Sequence, residues 1–436
     1  VESAEQTSQE IGVNEEQERT GAATPPSESR DAVWIDPDLG FIEAITHRRG
    51  DTFKTCIQCG TCSGTCTLTP DSHSFPCKEM AWVAWGMRDR LLTDPDVWLC
   101  YQCNDCSARC PRGAQPGEVL GSIREACVQQ YAYPRFLAKW VSQPQMIPLL
   151  LGIPIVLLSL ALALKDPIAD GLGIERNMGE GLSYSYSSVF PHWLLNSFFF
   201  FFSALAFIAA VVGVARFWRA LKAGAQAEGA YQPVKDIGPS IRTALKKVFA
   251  HDNFGNCEKA HTRLWSHFAV LFGFLALTVV TLWVITSGIN PLLRDDFVYP
   301  FSFWSPWKIL ANLGGLAVLA GCCWMIGERI KDSFDEGYGT YFDWFLLSTL
   351  LLVVLTGFFT EVLHYVRLEP HRHLVYFMHL VFVFALLIYL PYSKLAHVMY
   401  RTTALVFAEH TGRKLGDPPA SAAGGKPIDK DEKNDS

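Results

Sequence analysis

Six apolar stretches, at 145–164, 191–215, 264–287, 309–327, 344–360 and 374–393, carry no Asp, Glu, Lys or Arg in their interiors. A helix needs about 20 mostly apolar residues to cross roughly 30 Å of hydrocarbon, and a backbone in lipid must satisfy its hydrogen bonds internally. Six such runs exceed what one soluble core uses, so this part of the chain is constrained to a helical membrane bundle. Composition agrees: of 436 residues, 50% are hydrophobic and 18% charged, with a mean hydropathy of +0.15. A net charge of −6 leaves no electrostatic footprint for nucleic acid.

Orientation follows from loop charge. Nine Lys or Arg residues lie between the second and third stretches, against Lys165 and Arg176 between the first and second. The even number of spans then places both termini on the cytoplasmic side of the inner membrane. The first 30 residues agree, with seven Glu, two Arg and no apolar core of a secretory signal. The expected division is a disordered acidic tail at 1–40, a cysteine-rich domain at 41–140, a six-span membrane domain at 141–405 and a disordered tail at 406–436.

Most of the thirteen cysteines fall between Cys56 and Cys127, in a segment expected in reducing cytosol, where thiols bind metal or do redox chemistry. Cys56, Cys59, Cys62 and Cys66 form a C-x2-C-x2-C-x3-C motif, which repeats 44 residues on as Cys100, Cys103, Cys106 and Cys110. At this spacing three thiolates grip one 4Fe–4S cluster and the fourth reaches the other cluster. The expected ligand sets are Cys56, Cys59, Cys62 and Cys110, and Cys100, Cys103, Cys106 and Cys66. Structural zinc, the competing reading, uses separated C-x2-C pairs and fits the third and fourth cysteines poorly. Met80, Val83, Ala84, Met87 and Leu91 fall on one helical face, as do Val119, Leu120, Ile123 and Cys127. Cys77 and Cys127, outside the motifs, read as core-packing residues.

Ionisable residues within spans are functional candidates by default. His379 and His397 are both expected on the sixth helix, taken on past Ser393 to Met399; 18 residues, five turns, set them on one face about 27 Å apart. One helix would then offer a b-type haem ligand near each membrane surface. His267, three residues into the third span, matches His397 in depth, making His267 and His397 the expected haem pair. His192 is the expected partner of His379, with His364 as the alternative. Glu361, His364, Tyr365 and Arg367 read as an interfacial polar rim or as a proton acceptor for quinol oxidation.

The segments CIQCGTCSGTC and CYQCNDCSARCPRG resemble the HdrC subunits of heterodisulfide reductases. The segment YFMHLVFVFALLIYLPYSKLAHVMYRT resembles the HdrE and NarI-type cytochrome b family, in which one helix carries two His spaced by 18. Fused in this order over residues 40–410, the modules are similar to the QmoC family, the membrane subunits of quinone-interacting membrane-bound oxidoreductases. NarI-type proteins place two His ten residues apart in the third span; ten past His267 here is Leu277. The resemblance implies an all-α fold, a small helical ferredoxin-like domain with two 4Fe–4S clusters followed by a six-helix transmembrane cytochrome b bundle. It also implies electron transfer between membrane quinone (menaquinone), one or two haem b groups, the two clusters and QmoA- and QmoB-like flavin/iron–sulfur subunits linked to adenylylsulfate reductase. No nucleotide fingerprint or Walker motif is present, so flavin and substrate chemistry are expected on other subunits and no catalytic residue is assigned. The alternatives are a membrane subunit of a heterodisulfide-reductase-like complex, and a non-redox membrane anchor with a zinc scaffold.

Overall fold

The computed structural model describes residues 36–70, 73–173, 186, 189–229, 231–250, 261–289, 303–331, 340–368 and 371–413. The tails expected at 1–40 and 406–436 lie outside the described residues up to 35 and from 414 onward. Every element among the described residues is helical.

The cysteine-rich part opens with α1 (Leu39–Ile45), N-capped by Asp38, whose Oδ1 accepts from the Phe41 N–H at 2.8 Å. It continues through α2 (Thr61–Thr65), α3 (Cys77–Ala84), α4 (Arg88–Thr93), α5 (Asp96–Leu99), α6 (Asp105–Ala108), α7 (Pro116–Tyr131) and α8 (Arg135–Val141). The apolar stripe from Met80 to Leu91 is not one helix. The chain turns at Gly86, whose φ of +64° suits glycine and where a Cβ would lie 2.8 Å from the Asp38 nitrogen. Met80, Val83 and Leu91 are still buried, while Ala84 is exposed. The second stripe is one helix, α7, which buries Val119, Leu120, Ile123 and Cys127.

Beyond it come α9 (Ile147–Ala163), α10 (Lys165–Leu172), α11 (His192–Ala227), α12 (Ile237–Ala250), α13 (His261–Ile289), α14 (Pro306–Lys331), α15 (Tyr341–Val366), α16 (His371–Ile388) and α17 (His397–Thr411). Among the described residues six helices, α9, α11 and α13 to α16, are long and apolar enough to cross a membrane. Small residues bring α13 and α14 together: a Cβ on Gly273 would lie 2.6 Å from the Gly314 carbonyl oxygen. Phe198 and Phe202 turn inward onto Phe384, with ring centroids 5.8 and 5.2 Å away.

The sixth span does not continue to residue 399. It ends at Ile388, passes through short 3-10 turns at Leu390–Tyr392 and Lys394–Ala396, and restarts as α17 at His397. Pro391 is the cause: it has no N–H to donate and its ring clashes with the carbonyl four residues back. The elbow is tied down on three sides. Tyr389 Oη donates to the Leu150 carbonyl at 2.9 Å, Tyr392 Oη donates to the Tyr133 carbonyl at 2.7 Å, and Lys394 pairs with Asp343 at 2.8 Å. His379 and His397 therefore share no straight helical face, and the 27 Å axial spacing does not apply.

The 36 residues of α11 make it about 54 Å long, well beyond the hydrocarbon thickness. Its far half enters the cysteine-rich part, where Phe217 is fully buried with ring centroids 5.3 Å from both Tyr131 and Tyr400 and 6.0 Å from Trp98. Trp98 also stacks on Tyr400 at 5.3 Å. One hydrophobic core thus runs through α5, α7, α11 and α17. Val406, Phe407 and Ala408 belong to it, so the expected tail boundary at 406 is corrected: the last helix is core, and it runs to Thr411.

Candidate metal centres

The two cysteine loops share backbone geometry as well as sequence. Gln58 and Gln102, each between the first two cysteines of its motif, have φ of +56° and +55°. Gly60 and Asn104, each just after the second cysteine, have φ of +77° and +66°. These left-handed residues curl the chain around a hollow before the short helices α2 and α6 begin. Asn104 meets the cost of a left-handed backbone better than most side chains.

Each loop lines one cavity. Cys66, Cys100, Cys103 and Cys106 line the first, with Leu68, Phe75 and Leu120. Cys56, Cys59, Cys62 and Cys110 line the second, with Cys77 and Pro111. The structure therefore gathers the eight motif cysteines into two sets of four, each containing the last cysteine of the other motif. Cys77 is buried, as the sequence reading expects, and it also lines the second cavity.

The chemistry of these donors suits a cluster. Burial pushes the Cys62 and Cys66 thiols up to about 12, reinforced by Cys77 and Cys56 around Cys62 and by Cys100 around Cys66. Burial likewise raises Cys106, with Cys100, Cys103 and Cys66 adding to it. Four thiolates held this close need a compensating positive centre, which an iron–sulfur core supplies. Donors already face the sulfurs. The Gln102 N–H donates to Cys100 Sγ at 3.2 Å, Gln58 Nε2 donates to Cys56 Sγ at 3.3 Å, and Thr61 Oγ1 lies 3.4 Å from Cys59 Sγ. The residues fit the group. The two surroundings differ: Cys59 and Ile57 are exposed, whereas Cys100 is buried beneath α17.

Two arginines unmarked by any motif clasp the loop at Cys100. Arg124 donates to the Cys100 carbonyl at 2.8 Å and the Val97 carbonyl at 2.7 Å. Arg401, on α17, donates to the same Cys100 carbonyl at 3.0 Å and lies 4.3 Å above the Tyr101 ring. Its sequence signal was its place four residues after His397, one helical turn along α17.

His397 opens α17. Its Nδ1 lies 2.7 Å from the Lys394 carbonyl, an arrangement that fixes the ring and leaves Nε2 for another partner. Burial holds its imidazole well below the ordinary range, at about 3; the hydrogen bond to the Lys394 carbonyl opposes this, while the charges of Lys394, His267 and Arg401 add to it. His267 thus stands close enough to act electrostatically on His397, and both rings come to the end of the bundle that meets the cysteine-rich part. His379 sits against α15, its Nδ1 3.1 Å from the Val353 carbonyl and 3.1 Å from Thr356 Oγ1. Gly357 makes room there, since a Cβ would lie 3.2 Å from His379 Cε1. Because Phe198 and Phe202 flank Phe384, His379 lies level with the first turn of α11, where His192 is exposed. His364 lies seven residues beyond Gly357, about 10 Å further along α15, with its ring 5.6 Å from Tyr186. Glu361 is held by Lys308 at 3.1 Å and accepts from Asn312 at 3.2 Å.

A third cluster escaped sequence reading. Glu79, Asp94 and Asp96 are buried together. Lys78 pairs with Asp94 at 2.8 Å and Asp96 at 2.9 Å, His73 Nε2 lies 2.6 Å from Asp96, and Arg413, just beyond α17, pairs with Asp96 and with Asp94 at 3.4 Å. With two cations on two aspartates this is a charge-balanced clasp holding the end of the last helix.

Comparison with known proteins places these features. Residues 143–416 match the family model described as citrate utilization protein B, and residues 55–115 match that described as a 4Fe-4S dicluster domain. An HdrC-like heterodisulfide reductase protein of Archaeoglobus profundus is 34% identical over 91 residues, 21% of this chain and 48% of that protein. The HdrC component of the H(2):CoB-CoM heterodisulfide,ferredoxin reductase of Methanothermobacter marburgensis is 36% identical over 90 residues, 20% of this chain and 47% of that protein. The chain spans about half the length of these two relatives. The citrate utilization protein B of Escherichia coli is 26% identical over 376 residues, 81% of this chain and 89% of that protein. An alignment of that length takes in both modules, so their fusion is not peculiar to the QmoC family. No solved structure matches the chain.

Proposed function

This chain belongs to the citrate utilization protein B family, and on that premise we propose that it is the membrane electron-transfer subunit of a quinone-linked oxidoreductase. Its cysteine-rich part, matched to a 4Fe-4S dicluster domain, would hold one cluster on Cys56, Cys59, Cys62 and Cys110 and another on Cys66, Cys100, Cys103 and Cys106. His267 and His397 would hold a haem b at the cytoplasmic end of the bundle, and His379, with His192 offered from α11, a second. When bound, these groups supply one-electron transfer, and the chain supplies ligands, spacing and burial.

The observation that carries this reading is the path of α17. It begins at His397, within electrostatic reach of His267, and four residues later Arg401 grips the carbonyl of Cys100. A single rigid helix thereby links the membrane histidines to the buried cysteine cavity, while the cavity with exposed Cys59 faces outward. Electrons would pass between menaquinone in the membrane and soluble flavin/iron–sulfur subunits docked over the outer cluster.

The HdrC-type relatives favour a heterodisulfide-reductase-like assembly for those soluble partners. QmoA- and QmoB-like partners feeding adenylylsulfate reductase form the narrower version of the proposal, which rests on sequence resemblance. Purification of the full chain with its complex tests the whole reading. Iron near eight atoms per chain from the two clusters, with a haem b spectrum, is expected; colourless, iron-free protein overturns it, and co-purifying subunits decide between the partner sets.

A further inference from the structure

The cavity ringed by Cys56, Cys59, Cys62 and Cys110 holds a fifth thiol, and hydrogen bonding determines what that thiol does. Cys77 is 6% exposed and lines this cavity. Its Sγ donates to Gln58 Oε1 at 3.3 Å, and Gln58 Nε2 in turn donates to Cys56 Sγ at 3.3 Å. A ligating thiolate only accepts hydrogen bonds, so the side of Gln58 facing Cys56 must be its NH2 group. The amide oxygen then faces Cys77, and Cys77 must keep its proton to satisfy that oxygen. A protonated thiol is no ligand. The arrangement is a relay from Cys77 through Gln58 to Cys56 Sγ.

The internal duplication supplies a comparison within the same molecule. Forty-four residues on, Gln102 stands where Gln58 does, with the same left-handed backbone. There the amide oxygen is held by a different donor: Arg124 Nη1 reaches Gln102 Oε1 at 3.3 Å. Each loop thus has one glutamine beside its first cysteine, oriented by a neutral thiol in one half and by a guanidinium in the other.

We propose that Cys77 is a positioning residue for the outer cluster: it orients Gln58 so that its amide donates to Cys56 Sγ, and so raises that cluster's reduction potential. Hydrogen bonds to cluster sulfurs stabilise the more negative, reduced form. The proposal rests on the iron–sulfur reading above, and it explains why a cysteine outside both motifs occupies the cavity wall.

An EPR-monitored redox titration of the full chain in its complex, with iron counted in the same samples, tests it. Cys77→Ala is expected to keep all its iron while the outer cluster's reduced-to-oxidised ratio at fixed potential falls about tenfold, which is about 59 mV for a one-electron couple. Cys77→Ser retains a donor and is expected to stay near the wild-type potential. Gln58→Leu removes the relay without touching Cys77 and is expected to match Cys77→Ala in both iron content and potential. Unchanged potentials in Cys77→Ala and Gln58→Leu overturn the relay. Loss of cluster iron in Cys77→Ala but not in Gln58→Leu overturns it in favour of ligation. Iron-free wild-type protein instead overturns the iron–sulfur reading itself.

Discussion

Arg401 Nη1 donates to the carbonyl oxygen of Cys100 at 3.0 Å, joining residues 301 positions apart. Around this bond the membrane and cysteine-rich parts become one body. Arg124 shares the same carbonyl, and the Arg401 guanidinium also covers the Tyr101 ring. Replacing Arg401 with Ala removes a charge-assisted hydrogen bond and a cation–π contact, together worth about 2 kcal/mol. The expected result is a lower thermal midpoint and an altered EPR signal for the cluster at Cys100, with the signal of the cluster at Cys56 unchanged. Arg401→Lys should recover little of this, because an ammonium cannot match the planar fork over the ring. Equal perturbation of both signals would show that the helix serves general stability alone.

The crossing of the cysteine sets makes a prediction that linear order would not. Cys66 lies in the first motif but lines the cavity of the second, and Cys110 does the reverse. Cys66→Ser should therefore abolish the same EPR signal as Cys103→Ser, and Cys110→Ser the same one as Cys59→Ser. Each variant should retain about half the iron. If Cys66→Ser instead behaves like Cys59→Ser, the two loops do not exchange ligands.

Glu79 predicts a pH dependence. It is wholly buried, and burial raises its carboxyl well above the usual range; Lys78 opposes this while Asp94 and Asp96 add to it. The folded protein thus keeps a proton that the unfolded chain releases near pH 4.3. Above that pH the native state binds the extra proton, so stability falls as pH rises, by about 1.4 kcal/mol per unit until the folded pKa is reached. Glu79→Gln needs no proton. Its thermal midpoint should gain on wild type as pH climbs from 5, and the difference should vanish near pH 4. A difference independent of pH would mean that Glu79 is not protonated in the folded state.

The parts of this structure visible in the sequence are those encoded over short distances. Eight cysteines at matched spacing mark two loops because the four cysteines of each motif lie within eleven residues of one another, and apolar runs mark spans because lipid imposes length and composition. What escaped depends on distant approach. Nothing near Phe217 shows that the far half of α11 inserts between Trp98, Tyr131 and Tyr400, and nothing near Arg413 points to Asp96. Cys77 looked like an ordinary buried thiol because burial is common to both roles, and only its neighbour Gln58 separates them. The elbow was within reach: Pro391 is incompatible with the straight helix that a spacing of 18 suggested, and local chemistry outweighed that periodicity.

That elbow changes how the histidines are to be tested. On a straight helix His379 and His397 would be bound into one rigid spacing, and substituting either would strain the other. With α16 ending at Ile388 and α17 starting at His397, the two sites are mechanically separate. His397 is the proposed partner of His267 of α13, whose charge acts on it, and Nδ1 of His397 is engaged by the Lys394 carbonyl, leaving Nε2 available. His267→Ala and His397→Ala should therefore remove the same haem, seen as one identical loss in the reduced-minus-oxidised spectrum and in haem per chain. His379→Ala should leave that component in place and take any second one. Both EPR cluster signals should survive all three substitutions, since among the described residues no histidine lines either cysteine cavity. Should His397→Ala keep its full haem complement, the pairing of His267 with His397 is wrong, and α17 serves only to clamp Cys100 through Arg401.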